Sequence, residues 1–146
     1  MTKSPPEDLM QHHGHLVRRA MQVLNALWDE EVSDTITSQQ FAALNALYRE
    51  PNLDQRTLGR RISLDRSTVA EIVARLCERG LTSSERDARD GRRKTITLSA
   101  KGVRLVQQLI PRTRAVTNRF VASLDESEQA DLLRLLTEVV RANERR

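Results

Sequence analysis

The chain has 146 residues, enough for one domain with a buried core, and only 3% are aromatic, so Leu, Ala and Val supply most of the apolar mass and favour helices over strands. No apolar run reaches bilayer-spanning length, the start MTKSPPEDLM lacks a basic-then-apolar signal pattern, and the lone Cys77 cannot form an intrachain disulfide; a soluble cytoplasmic protein is expected. The net charge of +4 conceals an asymmetry, because residues 52–119 hold 16 Lys/Arg against 7 Asp/Glu while the flanks together hold 8 against 13, an arrangement that suits a middle facing a polyanion.

Residues 1 to about 8, with Pro5 and Pro6, read as a disordered lead-in. From Leu9 to Val32 the recurrence of Leu16, Ala20, Val23, Leu24, Leu27 and Trp28 predicts a long helix. Thr37 with Gln40 three residues on is a capping box for SQQFAALNALYRE, which Pro51 ends. A short helix, LDQRTLGRRI, comes next. SLDRSTVAEIVARLCERG then has Ser63 or Asp65 as N-cap, apolar Val69, Ile72, Val73 and Leu76, and Gly80 as its stop. Two strand-like pieces near 81–85 and 94–98 flank a charged loop around Gly91, which predicts a hairpin with a long basic turn. Ser99 opens a helix reaching about Leu124, with Pro111 predicting a kink or break inside it. Asp125 with Glu128 starts the last helix, whose Leu132, Leu133, Leu135, Leu136, Val139 and Val140 make a wide apolar face.

The expected fold is therefore mainly α with a small β-hairpin wing, in the order α-α-α-α-β-β-α-α. Two short helices joined by a tight turn and followed by a small hairpin make a winged helix-turn-helix. A helix fits the major groove, so the second helix of the pair can offer Arg66, Ser67 and Thr68, then Glu71 and Arg75, to bases and phosphates. Arg56 and Thr57 of the preceding helix join the DNA-contacting set. The hairpin turn carries Arg86, Arg89, Arg92, Arg93 and Lys94, which can follow phosphates or enter a narrow minor groove. Taken alone, DRSTVAEIVARL is an ordinary capped amphipathic helix; its order with the Gly stop and the basic hairpin makes the DNA reading.

The run RSTVAEIVARLCERGLTSSERDARDGRRKTITLSAKG resembles the core of the MarR family of bacterial transcriptional regulators. The matching pieces are the RST start, the RL…RGL exit, the wing residues Asp87, Arg89, Asp90 and Arg92, and the Leu98, Ser99, Gly102 exit. TSQQFAALNAL extends the likeness to the second helix. The resemblance implies a single domain over 1–146, with 1–36 and 100–146 forming dimerisation helices and 37–99 the DNA-binding lobe. It implies a homodimer on a palindromic operator, usually repressing nearby genes. It also makes Arg92 the wing-tip arginine and Asp90 the carboxylate that orients it. One departure is Ser84, where the family often carries an arginine. Two reading heads need half-sites one helical turn apart, about 10 base pairs centre to centre.

All three histidines fall in HHGHLVRR, at residues 12, 13 and 15. Only His12 and His15 have a helical ligand spacing, and no Cys or carboxylate cluster joins them, so no metal and no cofactor is expected. On a helical projection His13 falls within the Leu16, Ala20, Leu24, Leu27 stripe and Arg19 on its edge. Arg19 there can pair with a carboxylate ligand or bridge the dimer. HHGHLVRRA and NLDQRTLGRRISLDRSTVAEIV also resemble a subgroup of the family controlling catabolism of aromatic acids. That likeness adds His15 and Arg18, with Phe41 and Leu44 as apolar wall, to an effector site for an aromatic carboxylate or phenolic compound. Alternatives are a redox response through Cys77, expected to be a buried or half-buried thiol, and an architectural DNA binder without effector. No nucleophile, His and carboxylate set, Gly-rich phosphate loop or metal motif supports an enzyme.

Overall fold

The computed structural model describes residues 8–145, and the lead-in read at residues 1–7 lies outside them. A 3-10 turn (Leu9–Gln11) leads into α1 (His13–Glu31). Then come α2 (Ser38–Arg49), β1 (Leu53–Asp54), α3 (Gln55–Ile62) and α4 (Arg66–Glu78). The hairpin β2 (Thr82–Arg86) and β3 (Lys94–Leu98) follows, then α5 (Ala100–Phe120) and α6 (Glu126–Glu144). The expected winged helix-turn-helix is present. It contains one element more than expected: β1 pairs with β3, Leu53 opposite Ile96 and Asp54 opposite Thr95, giving a sheet ordered β1-β3-β2. Two residues carry no alternation of their own, so only the tertiary partner defines this strand. The long first helix expected from Leu9 also divides, because His12 is extended and α1 starts after it.

Caps set several boundaries. Thr37 and Gln40 form the reciprocal capping box of α2, and Asp125 with Glu128 forms that of α6. Of the two candidate caps for the reading helix, Asp65 holds the position, while Ser63 takes a left-handed conformation (φ 55°) that ends α3. Ser99 caps α5 by accepting the Gly102 amide at 3.1 Å.

Of the kink or break expected at Pro111, the break does not occur, and α5 runs through it to Phe120 rather than Leu124. Leu109 and Val116 are anchored in the core on either side, and the Thr113 hydroxyl donates to the Ile110 carbonyl at 2.8 Å. Burial of both halves of the helix outweighs one lost ladder bond.

The core lies where α2, α4 and α5 meet the sheet. Ala43, Leu44, Leu47, Leu58, Val69, Leu76, Leu81, Ile96 and Val106 are its buried centre. Close approach of α3 to α4 depends on Gly59, since a Cβ there would lie 3.2 Å from Val69 Cγ2. In contrast, α6 buries none of its residues, and Leu133, Leu136, Val139 and Val140 are exposed. Among the described residues, no helix is long and apolar enough to cross a membrane.

Candidate DNA-reading head and effector site

The reading head is built from α3, α4 and the β2–β3 wing. An open crevice of about 1240 Å³ lies between them. Its rim carries Arg56, Arg60, Arg66, Arg92, Arg93 and Lys94, with Asp54 and Asp90 as the acids, over a floor of Gly59, Leu64 and Val69. Six cations against two carboxylates favour a polyanion. Arg60 and Asp54 belong to this site and were absent from the sequence-based set, although Asp54 before the short helix is itself an N-cap signal.

Asp54 joins two parts of the head. One carboxylate oxygen accepts the Thr57 amide at 2.7 Å, capping α3, and the other meets Arg93 Nε at 2.9 Å. The Thr57 bonds, then the Arg93 charge, hold its carboxyl below the ordinary aspartate range. Thr57 thus contributes its amide to a cap, and Arg93 serves as the strut between wing and helix pair.

At the start of α4, the Thr68 and Ser67 hydroxyls hold the Asp65 carboxyl low, and Ser67 Oγ donates to it at 2.8 Å. One and two turns on, Arg75 pairs with Glu71 at 2.8 Å on the exposed face. Arg66, Ser67, Glu71 and Arg75 are all exposed, while Val69, Ile72, Val73 and Leu76 face the core. The two faces fall as helical periodicity requires.

The wing turn is shaped by its own aspartates. Asp87 accepts the Arg89 amide at 2.9 Å, and Asp90 accepts the Arg92 amide at 3.0 Å. The contact between Asp90 and Arg92 is therefore to the backbone and fixes the turn, where the family likeness had implied an orienting contact. Arg86, opposite Lys94, closes the strands below it, and Arg86, Arg89, Arg92 and Lys94 are exposed.

The effector candidates fall into two groups. On α2, Phe41 packs on Trp28 of α1 with ring centroids 5.6 Å apart, and Leu44 is fully enclosed in the core. On α1, His13, Arg18 and Arg19 are exposed and His15 is half-buried. Arg18 Nη2 lies 3.3 Å from His15 Nδ1. A guanidinium only donates, so Nδ1 accepts and the ring proton sits on Nε2. That Nε2 is buried and has no partner among the described residues, as is Asn45 Oδ1 on α2, a residue the sequence did not single out. No group of three or more His, Cys, Asp or Glu among the described residues is placed to hold a metal ion. Cys77, on the last turn of α4, is exposed, where a buried or half-buried thiol was expected.

Comparison with known proteins agrees with this geometry. Residues 34–93 match the model of the MarR family. NicR, an HTH-type transcriptional repressor of Pseudomonas putida, is 31% identical over 140 residues, covering 95% of this chain and 89% of NicR. The chain belongs to the MarR family.

Its relatives are transcriptional regulators, and this MarR-family chain carries their winged DNA-binding fold. The PcaV regulator of Streptomyces coelicolor, in complex with its natural ligand, superposes with a TM-score of 0.89 at 45% identity. That match covers 95% of this chain and 99% of PcaV. BpsR of Bordetella bronchiseptica, whose DNA binding is regulated by 6-hydroxynicotinic acid, matches with a TM-score of 0.79 at 28% identity over 87% of this chain and 97% of BpsR.

Proposed function

We propose that this MarR-family protein represses transcription as a homodimer on a palindromic operator and releases it on binding an aromatic carboxylate or phenolic compound. Residues 37–99 act as the reading lobe, and residues 1–36 and 100–146 as the dimerisation helices. The observation that carries the DNA part is the crevice that brings α3, the start of α4 and the wing together under six cations. Arg66, Ser67 and Thr68 read base edges, Arg56, Thr57, Arg75, Arg86, Arg89, Arg93 and Lys94 meet phosphates, and Arg92 enters the minor groove on the turn that Asp90 shapes. Glu71 keeps Arg75 aimed.

The dimer rests on α1 and α6. Leu16, Val17 and Met21 of α1 and Leu133, Leu136, Val139 and Val140 of α6 are exposed in one protomer. Apolar helix faces left open in this way are what a second copy covers.

The effector reading rests on the α1 residues His13, His15, Arg18 and Arg19 with Phe41 of α2; Leu44, expected beside it, is fully enclosed in the core and offers a ligand no surface. The Nε2–H of His15, without a partner among the described residues, and the neighbouring Arg18 guanidinium make a donor pair suited to a carboxylate or phenolate. Ligand binding dissociates DNA only by preferring a spacing of the two heads that misfits the half-sites. A thermal-shift screen against hydroxybenzoic acids and 6-hydroxynicotinic acid, followed by release of the operator complex, tests this. Arg18→Ala and Arg19→Ala should each bind operator and resist release by the hit. Release at wild-type ligand concentration from both variants would remove the α1 site. The exposure of Cys77 favours the oxidant reading as a rival. On the effector reading, peroxide leaves operator affinity unchanged.

A further inference from the structure

The short loop between α1 and α2 gives up three carbonyls to side chains from three different elements. Val32 O accepts from Arg112 Nη1 of α5 at 3.4 Å, Thr35 O from Arg79 Nη1 at 2.7 Å, and Ile36 O from Trp28 Nε1 of α1 at 2.6 Å. Within the loop, Ser33 Oγ accepts the Thr35 and Ile36 amides, each at 3.0 Å, so the segment is held as one unit. Trp28 in turn packs on Phe41. Arg79 is the residue that ends α4.

The C-terminal end of α4 is itself firmly seated. Gly80 (φ +70°) turns the chain and lets the Leu81 amide return to Leu76 O at 3.0 Å. Lys101 Nζ donates to Arg79 O at 3.1 Å and Ser99 Oγ to Gly80 O at 2.6 Å. The Arg79 side chain therefore leaves a fixed backbone and bridges 44 positions of sequence to the loop.

From the geometry we infer that Arg79 is a positioning residue that ties the orientation of the reading helix to the α1–α2 loop. Arg66 and Arg79 are separated by about 20 Å along a helix rising 1.5 Å per residue. A tilt of about 5° at the Arg79 end displaces the reading end by about 2 Å, enough to break base contacts. The path Phe41, Trp28, Ile36, Thr35, Arg79 connects α2 and α1 to the far end of α4 through contacts that all appear in one state. Arg79 is exposed, so its bond contributes little to stability and its loss reads out as lost coupling. The tie to DNA stands on these contacts alone; only its use by an effector rests on the effector reading above.

The test needs no effector. Hydrogen exchange of the Thr35 and Ile36 amides is followed with and without the palindrome selected from random DNA. Operator slows exchange in the wild-type dimer although the loop lies outside the basic crevice, and that protection is lost in Arg79→Ala. It is kept in Glu78→Ala, the exposed neighbour, and partly restored in Arg79→Lys, which keeps the charge and a donor. Melting temperatures and α6 amides report any general loosening. Equal protection in Arg79→Ala and wild type, or none in wild type, overturns the inference. Failure of every aromatic acid to release operator from the wild type would instead overturn the effector reading and leave this result standing.

Discussion

The Asp54 carboxylate accepts the Thr57 amide and holds the Arg93 guanidinium, so one side chain sets both the start of α3 and the pitch of the wing. Its folded pKa lies below the ordinary aspartate value. A carboxyl lowered on folding stabilises the native state above its unfolded pKa, about 3.9, and loses that contribution as pH falls through the lower folded value. Asp54→Asn keeps a good helix cap and removes only the charge. The wild type should therefore lose melting temperature more steeply than Asp54→Asn as pH falls from 5 to 3; parallel curves would show that the ion pair contributes nothing. Under the proposed function the arginines of the head separate by role. Arg92→Ala should weaken binding to all sequences and reduce the salt slope by about one, whereas Arg66→Ala should relax preference at a particular base pair. Competition binding with mutated half-sites at fixed salt distinguishes them.

At the scale of elements, what the sequence showed was local. The Thr37–Gln40 and Asp125–Glu128 boxes, the Ser99 cap and the Gly80 stop each involve residues within a few positions, and all appear in the structure. What it did not show depends on distant chain. β1 exists only because Ile96 and Thr95 lie opposite Leu53 and Asp54, and α5 survives Pro111 only because the core holds both its halves. Gly102 has the same character. As a helix residue Ala would be better there by about 1 kcal/mol, but its Cβ would overlap the Leu81 carbonyl, which also accepts the Ser99 amide. Gly102→Ala should cost about 1–3 kcal/mol in denaturant unfolding because β2 and α5 must separate. A neutral or stabilising result would mean that the contact relaxes freely.

In the whole molecule, charge and apolar surface are divided between two ends of the chain's work. The basic crevice lies on the winged lobe, and the exposed Leu and Val of α6 lie on a helix that buries no residue in its own protomer. Leu136→Glu should give a folded winged lobe, a sedimentation mass near 16.7 kDa and a loss of operator affinity exceeding tenfold, roughly the effect of forfeiting one of two linked heads. A dimeric Leu136→Glu would place the interface elsewhere. The reading head was legible from sequence because its cap, helix face and hairpin are consecutive. The strut from Arg93 to Asp54, the partnerless nitrogen of His15 and the Arg79 bridge were not, since each is a meeting in space without a spacing in sequence.

Whether a dimer of this chain reads a palindrome and yields it to an aromatic acid is decided by selecting binding sites from random DNA at fixed salt and titrating the selected site with protein and ligand. The expected outcome is an enriched palindrome with half-sites about 10 base pairs apart, bound by one dimer with an affinity on the order of a thousandfold or more above random DNA, and released by one hydroxylated aromatic acid. Uniform binding to selected and random DNA would contradict it.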